Sequence, residues 1–328
     1  MSINYIQVKV GHPILKFVCP PDAKAVLLET IQNPVYDYDL TSIPNCVEYI
    51  TFGDYFNQQI KKNDFSAGLR SIIFGVNFNQ KIEKDVLPAG LQSIEFDHNF
   101  NQKIEKDVLP TRLQSIIFGR KFDQEIEKDV LPSGLQSIIF KHNFNQRIDK
   151  DVLPSGLQSI VFGEYFNQKI EKDVLPTGLQ SIVFGFHYNK PIEKGVLPQG
   201  LQSIIFGYVF NQKIEKDVLP QGLQSIYFNW CFNQPIEKDV LPSGLQVIQL
   251  GRNFTQSIEN IPETTKLIIW NPPPNITRNY TIYRYQSALQ NLEKYINIKR
   301  ENNQRLYTSS QWGWILYGRC RNYQTRNQ

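Results

Sequence analysis

Few residues of this chain have the types and spacing that chemistry requires. His98 and His142 lie in matching surroundings, Asp-His-Asn-Phe and Lys-His-Asn-Phe, and a pair of imidazoles can hold zinc. Two strands apart in a stacked fold they would sit roughly 10 Å from each other, too far to share one ion. Cys19, Cys46, Cys231 and Cys320 are scattered without a C-x-x-C spacing, so neither a zinc site nor a disulfide framework is indicated and reduced thiols are expected. The sequence holds no Gly-rich phosphate loop and no nucleophile motif. The expectation is a chain with no catalytic residue, no metal and no cofactor.

Two further patterns have a chemical reading. Glycosylation-type triplets begin at Asn253, Asn275 and Asn279, but Met1 opens no basic-then-apolar signal sequence that would make them meaningful. From Lys266 onward ten Lys or Arg face two Glu, a net of +8, and Trp312, Trp314 and Tyr317 lie among Arg319, Arg321 and Arg326. Interleaved basic and aromatic residues can bind single-stranded nucleic acid. The plainer account is a basic cap that packs its aromatics inward, so nucleic acid is not the expected partner. No apolar run is long enough for a membrane span, and a soluble, intracellular protein is expected.

What must position any site is a repeat. Phe56, Phe78, Phe100, Phe122, Phe144, Phe166, Tyr188, Phe210, Phe232 and Phe254 follow one another at a spacing of 22 residues, each with Ile four residues later. A fixed period of that size marks a stacked solenoid. In the unit from Leu91 to Arg112, Ile94 and Phe96 alternate like a short half-buried strand. Pro-x-Gly, as in Pro132 with Gly134, then reads as a turn with Pro second and Gly fourth. Arg112 in the glycine place shows that a left-handed backbone is not required there. The stretch before each Pro is too short for a stable helix, and a helical or 3₁₀ turn is expected. The Asn after the aromatic should bond backbone groups of its own and adjacent turns from a buried position. Glu105, Lys106 and Asp107 recur almost verbatim and read as a solvated convex face of opposite charge columns.

The array spans residues 43–271, between an N-terminal β cap over 1–42 and a basic C-terminal cap over 272–328. Ile6, Val8 and Val10 alternate like a strand, Ile14 to Val18 suggests another, and Leu267 to Trp270 forms a last strand before Pro272, Pro273 and Pro274. Ala288, Leu289, Leu292, Tyr295 and Ile296 have helical spacing, so a helix is expected over Tyr285 to Arg300.

Phe-Asn-x-x-Ile followed by Leu-Pro-x-Gly-Leu, seen whole as FNQKIEKDVLPTGLQSIVFG from Phe166 to Gly185, resembles the FNIP repeat, a short relative of the leucine-rich repeat. The leucine-rich pattern is visible at Leu91, Ile94 and Phe96. The resemblance covers about Ile43 to Trp270. It implies a β-rich solenoid, an open right-handed stack with one short parallel strand per 22-residue turn, and a protein-binding role. Family members occur in amoebae and their large viruses. Some resemble F-box adaptors for ubiquitin ligation, but residues 1 to 42 carry no Leu-Pro-led helical F-box.

In a solenoid, recognition must use outward positions that the stack leaves free. One such column runs through Ile73, Glu95, Ile117, Ile139, Val161, Val183, Ile205 and Tyr227 on the concave face. It is either an exposed apolar stripe of the kind that marks an interface or a layer shielded by curvature or a capping segment. A second column, just after the strand, runs from Asp54 through His98, His142 and Glu164 to Phe186, Tyr208 and Trp230. A third is the Ser column, Ser71 and Ser93 onward. Large aromatics are favoured interface anchors, and Tyr227, Phe186, Tyr208 and Trp230 gather in the carboxyl half. The expected function is a non-enzymatic scaffold for an unidentified protein partner; a structural or self-assembling protein, or a ubiquitin-ligase adaptor without the F-box, is the alternative, and an enzyme of unrecognised type is the remaining reading.

Overall fold

The computed structural model describes residues 5–10, 25–30, 39–43, 45–270, 272 and 279–282. Strands of three or four residues recur once per repeat: β3 Tyr49–Phe52, β4 Ser71–Ile73, β5 Ser93–Glu95, β6 Ser115–Phe118, β7 Ser137–Phe140, β8 Ser159–Val161, β9 Ser181–Val183, β10 Ser203–Ile205, β11 Ser225–Tyr227 and β12 Val247–Leu250. Before them come β1 Tyr5–Val10 and β2 Ala25–Thr30, and after them β13 Lys266–Ile269 and β14 Tyr280–Ile282. All pair in parallel and in chain order, β1 to β14, in one sheet. Register is kept from copy to copy, Ser71 against Ser93 and Ser93 against Ser115, because identical repeats bury identical faces. The sequence therefore folds as a parallel β-solenoid of the leucine-rich-repeat type.

The ends depart from expectation in detail. β1 falls where the alternation of Ile6, Val8 and Val10 placed it, and β2 lies at Ala25–Thr30. The strand expected at Ile14 to Val18 and the helix expected at Tyr285 to Arg300 lie outside the described residues. The sheet does not stop at β13 but gains β14 beyond the proline run.

Two interleaved columns of phenylalanine form the core. One lies at the strand ends and the other four residues on. Within a repeat the two rings stack closely, Phe96 on Phe100 at 3.8 Å. Between repeats, Phe78 and Phe100 are 6.0 Å apart and within 6° of parallel. Such offset stacking suits the ring quadrupole, and the strand spacing enforces it.

The predicted polar seam is present and continuous. Asn57 Oδ1 accepts from the backbone N–H of Asn79 at 2.8 Å, and Asn79 Oδ1 from that of Asn101 at 2.9 Å. The ladder runs on to Thr255. Asp123 keeps it, its carboxylate accepting from Asn145 N–H at 2.8 Å. Inside the array these side chains are half-buried rather than buried, and Asn57 and Thr255 at its ends are exposed, since the seam lies at the wall of the stack.

Two turns differ from the expected ones. Leu91 N–H donates to Pro88 O at 3.0 Å, so Pro opens the turn and Gly90 is its third residue. Gly90 has no positive φ, but a Cβ there would meet Ala67 O at 2.9 Å. In place of a helical turn, Val130 N–H closes onto Glu127 O around Asp129, whose φ of 65° is left-handed. Asp and Asn tolerate that region better than most residues, and Asn63 (φ 72°) and Gly195 (φ 83°) take the place in two copies that lack Asp. These Asp residues also meet the preceding Lys column, as Lys106 does Asp129 at 3.0 Å, which is how opposite columns offset self-repulsion. The pairs are well exposed and contribute little each.

One core ring departs from the others. Tyr188 replaces Phe in the aromatic column and is fully buried, with its hydroxyl lacking a hydrogen-bond partner among the described residues. Burial pushes its phenol well above the usual range. Tyr188→Phe should therefore stabilise the protein, by about 1–3 kcal/mol, seen as a higher urea midpoint at unchanged slope. A lower midpoint would show that the hydroxyl is bonded.

Candidate functional site

The three candidate columns meet different fates, and the Ser column is largely buried, with Ser137, Ser159, Ser181, Ser203 and Ser225 between 1% and 7% exposed. The concave strand column is shielded: Ile117, Ile139, Val161, Val183, Ile205 and Tyr227 are between 0% and 6% exposed. Equivalents one strand above and below close two sides of each side chain, so the open apolar stripe is not formed. Tyr227 is separated by its burial from the other three aromatics with which the sequence grouped it.

Phe186, Tyr208 and Trp230 remain partly exposed. They follow their strands, where a second set of backbone bonds continues the stack: Val209 N–H donates to Phe186 O (3.1 Å), Cys231 N–H to Tyr208 O (3.0 Å) and Asn253 N–H to Trp230 O (3.1 Å). That ladder holds the rings at strand spacing. Phe186 and Tyr208 stack at 4.6 Å and 9°, Tyr208 and Trp230 at 5.3 Å and 18°. Arg252 lies over the far face of Trp230 at 4.7 Å, and Trp270 tilts against it at 6.0 Å. The glycines before Phe186 and Tyr208 matter: a Cβ at Gly185 would come 1.7 Å from Gly163 O, and one at Gly207 1.7 Å from Gly185 O.

The ridge is longer than the sequence reading supposed. Residues one place further on continue it, with His187 edge-on to Phe186 (4.8 Å), stacked on Tyr165 (5.0 Å), and Tyr165 against His142 (4.9 Å). Reading the adjacent column with the same 22-residue period would have found Tyr165 and His187. Six rings from His142 to Trp230 thus touch in series, and Tyr165 is 44% exposed.

Toward the amino end the same column turns polar. His142 Nε2 lies 2.9 Å from Glu164, and that hydrogen bond holds the imidazole above its usual pKa against the opposing effect of burial. His98 is pushed down by burial and then by Arg120 and Lys121. Lys141 reaches back over two strands to Glu95 at 3.0 Å and Asp97 at 3.6 Å. Burial raises the Cys231 thiol, which keeps it protonated. Among the described residues, no group of three His, Cys, Asp or Glu could hold a metal ion, and no helix is long and apolar enough to cross a membrane.

Comparison with known proteins agrees with this geometry. The chain is similar to CroV588, described as a novel circular LRR protein, at 36% identity and a TM-score of 0.66. The match covers 79% of this chain and 41% of that one, so this chain spans less than half the length of CroV588. A match to YopM from Yersinia enterocolitica WA-314 has 18% identity and a TM-score of 0.40, over 80% of this chain and 63% of that one. No curated protein matches. The FNIP Repeat model matches residues 36–63, 56–98, 100–142, 144–187, 188–231 and 232–269, and with the repeat geometry above this means that the chain belongs to the FNIP repeat family.

Proposed function

We propose that the protein is a non-enzymatic interaction scaffold that binds a protein partner along the aromatic ridge of its carboxyl half. The observation that carries this reading is the pre-stacked, partly exposed series Phe186, Tyr208 and Trp230. Aromatic anchors dominate binding energy at protein interfaces, and rings already held by their neighbours lose little freedom when a partner arrives. Arg252 at one end and the His142–Glu164 pair at the other supply a polar rim. The buried Ile117, Ile139, Val161, Val183, Ile205 and Tyr227 act in this reading as the floor that keeps the sheet rigid, not as contacts.

Tyr208→Ala and Trp230→Ala, alone and together, test it by proximity labelling in the native cell. Proteins labelled by the wild type should fall out of the labelled set in the double variant, with circular dichroism unchanged. An unchanged set with an intact fold sinks the proposal. Light scattering of the same variants over a concentration series reports whether the ridge instead joins copies of this chain.

A further inference from the structure

We propose that the amino-terminal third of the array binds an acidic oligosaccharide, of the uronate class, along a cleft lined by side-chain amides. The cleft has a volume of about 610 Å³, within the range of small-molecule sites, and five of its seven lining residues are Asn. Asn57, Asn79 and Asn101 form one wall and Asn77 and Asn99 the other, with Tyr55 and Lys121 completing it.

The orientation of the first wall follows from the ladder. A backbone N–H can only donate, so the amide atom facing it must be oxygen. Asn57 Oδ1 accepts from Asn79 N–H, Asn79 Oδ1 from Asn101 N–H and Asn101 Oδ1 from Asp123 N–H, at 2.8 to 2.9 Å. Gln80, Gln102 and Gln124 donate to the same three oxygens. Each oxygen is thereby committed to the next repeat and each NH2 is turned from it, and none of these NH2 groups has a partner among the described residues. Three fixed, unused donors follow one another at strand spacing, about 4.8 Å. On the facing wall Asn99 donates to Asn77 at 2.9 Å, which leaves the Asn77 NH2 as a further donor. Lys121 is exposed and has no ion pair among the described residues.

A lining rich in donors, with one ammonium and no carboxylate, fits a ligand rich in acceptors and negative in charge. The repeat of the donors fits a ligand that itself repeats. A nucleic-acid backbone would call for a cation at each phosphate, whereas neutral amides suit hydroxyl and carboxylate oxygens of a chain of sugar rings. Tyr55, 40% exposed at the edge, offers a ring to such a chain. Further along, the column facing the Asn ladder passes through Asn143 and then changes to Tyr165, His187 and Val209, so amides do not face the ladder beyond Asn143.

The test is calorimetric titration with tetragalacturonate at low salt. The key variant is Asn79→Asp with Asn101→Asp, which replaces the two donors by oxygen but keeps the ladder acceptor, as Asp123 already does. Wild type should bind saturably; the double variant should bind about tenfold or more weakly, while Asn189→Asp, in the same ladder outside the cleft, should bind as the wild type. Lys121→Gln, which disturbs no described contact, should weaken binding too, and neutral cellotetraose should bind far less than the acidic probe. Absence of saturable binding by the wild type overturns the proposal, as does equal loss in Asn189→Asp or preference for oligothymidylate.

Discussion

Truncating Phe144 to Ala should lower the unfolding free energy by about 3–5 kcal/mol, the range for emptying an aromatic site in a packed core. The ring is 1% exposed and touches three others: Phe140 at 3.8 Å in its own repeat, and Phe122 and Phe166 at 6.1 Å on either side. Collapse into the space is opposed because strand registers above and below hold the neighbouring rings apart. A solenoid is coupled only through adjacent units, so a hole at mid-array also weakens the link between its two halves. The urea transition of Phe144→Ala should therefore broaden as well as shift, its slope falling as the halves begin to unfold separately. Phe254→Ala, at the last aromatic, has a ring partner on one side in Phe232 and should cost less with no broadening. A cost below about 1 kcal/mol for Phe144→Ala, or equal effects at the two positions, would contradict this account of the core.

The architecture was legible because one pattern recurs often enough to separate constraint from accident. Ile94 and Phe96 point inward, the Asn seam bonds the next turn, and the Pro-x-Gly segment reverses the chain, all as spacing and residue type suggest. Three things were hidden for physical reasons. Shielding of Val161 and Val183 depends on how closely the concave face draws in, which no single repeat encodes. Left-handed Asp107 and its equivalents look like helix-compatible acids until the turn around them is seen. The ridge was half found, since Tyr165 and His187 touch Phe186 and its neighbours only because two adjacent columns share one ladder spacing.

The least legible feature carries the second large effect. In the concave strand column Glu95 interrupts a run of apolar residues, and two repeats later Lys141 stands where most copies have Gly. Neither departure makes sense alone. In the structure the Lys141 ammonium reaches Glu95 at 3.0 Å, with the two side chains only 13% and 19% exposed. Accommodating a side chain at position 141 re-lays the backbone locally: β6 and β7 extend through Phe118 and Phe140, and Lys141 N–H donates to Phe118 O at 3.2 Å. Lys141→Met should cost about 2–4 kcal/mol, somewhat less than the loss of one partner from a fully buried pair, because it takes the cation from Glu95 while leaving the carboxylate in a largely dry place. Glu95→Ile in the Lys141→Met background should then recover most of that loss, since Ile is the residue that Ile73 and Ile117 place on either side. The full return to the repeat pattern, Glu95→Ile with Lys141→Gly, should match or exceed the wild type, because replacing a desolvated ion pair by packed apolar groups is often neutral or stabilising. If Lys141→Met is silent in denaturant titrations, or if Glu95→Ile fails to rescue it, the pair is not what holds these two departures together.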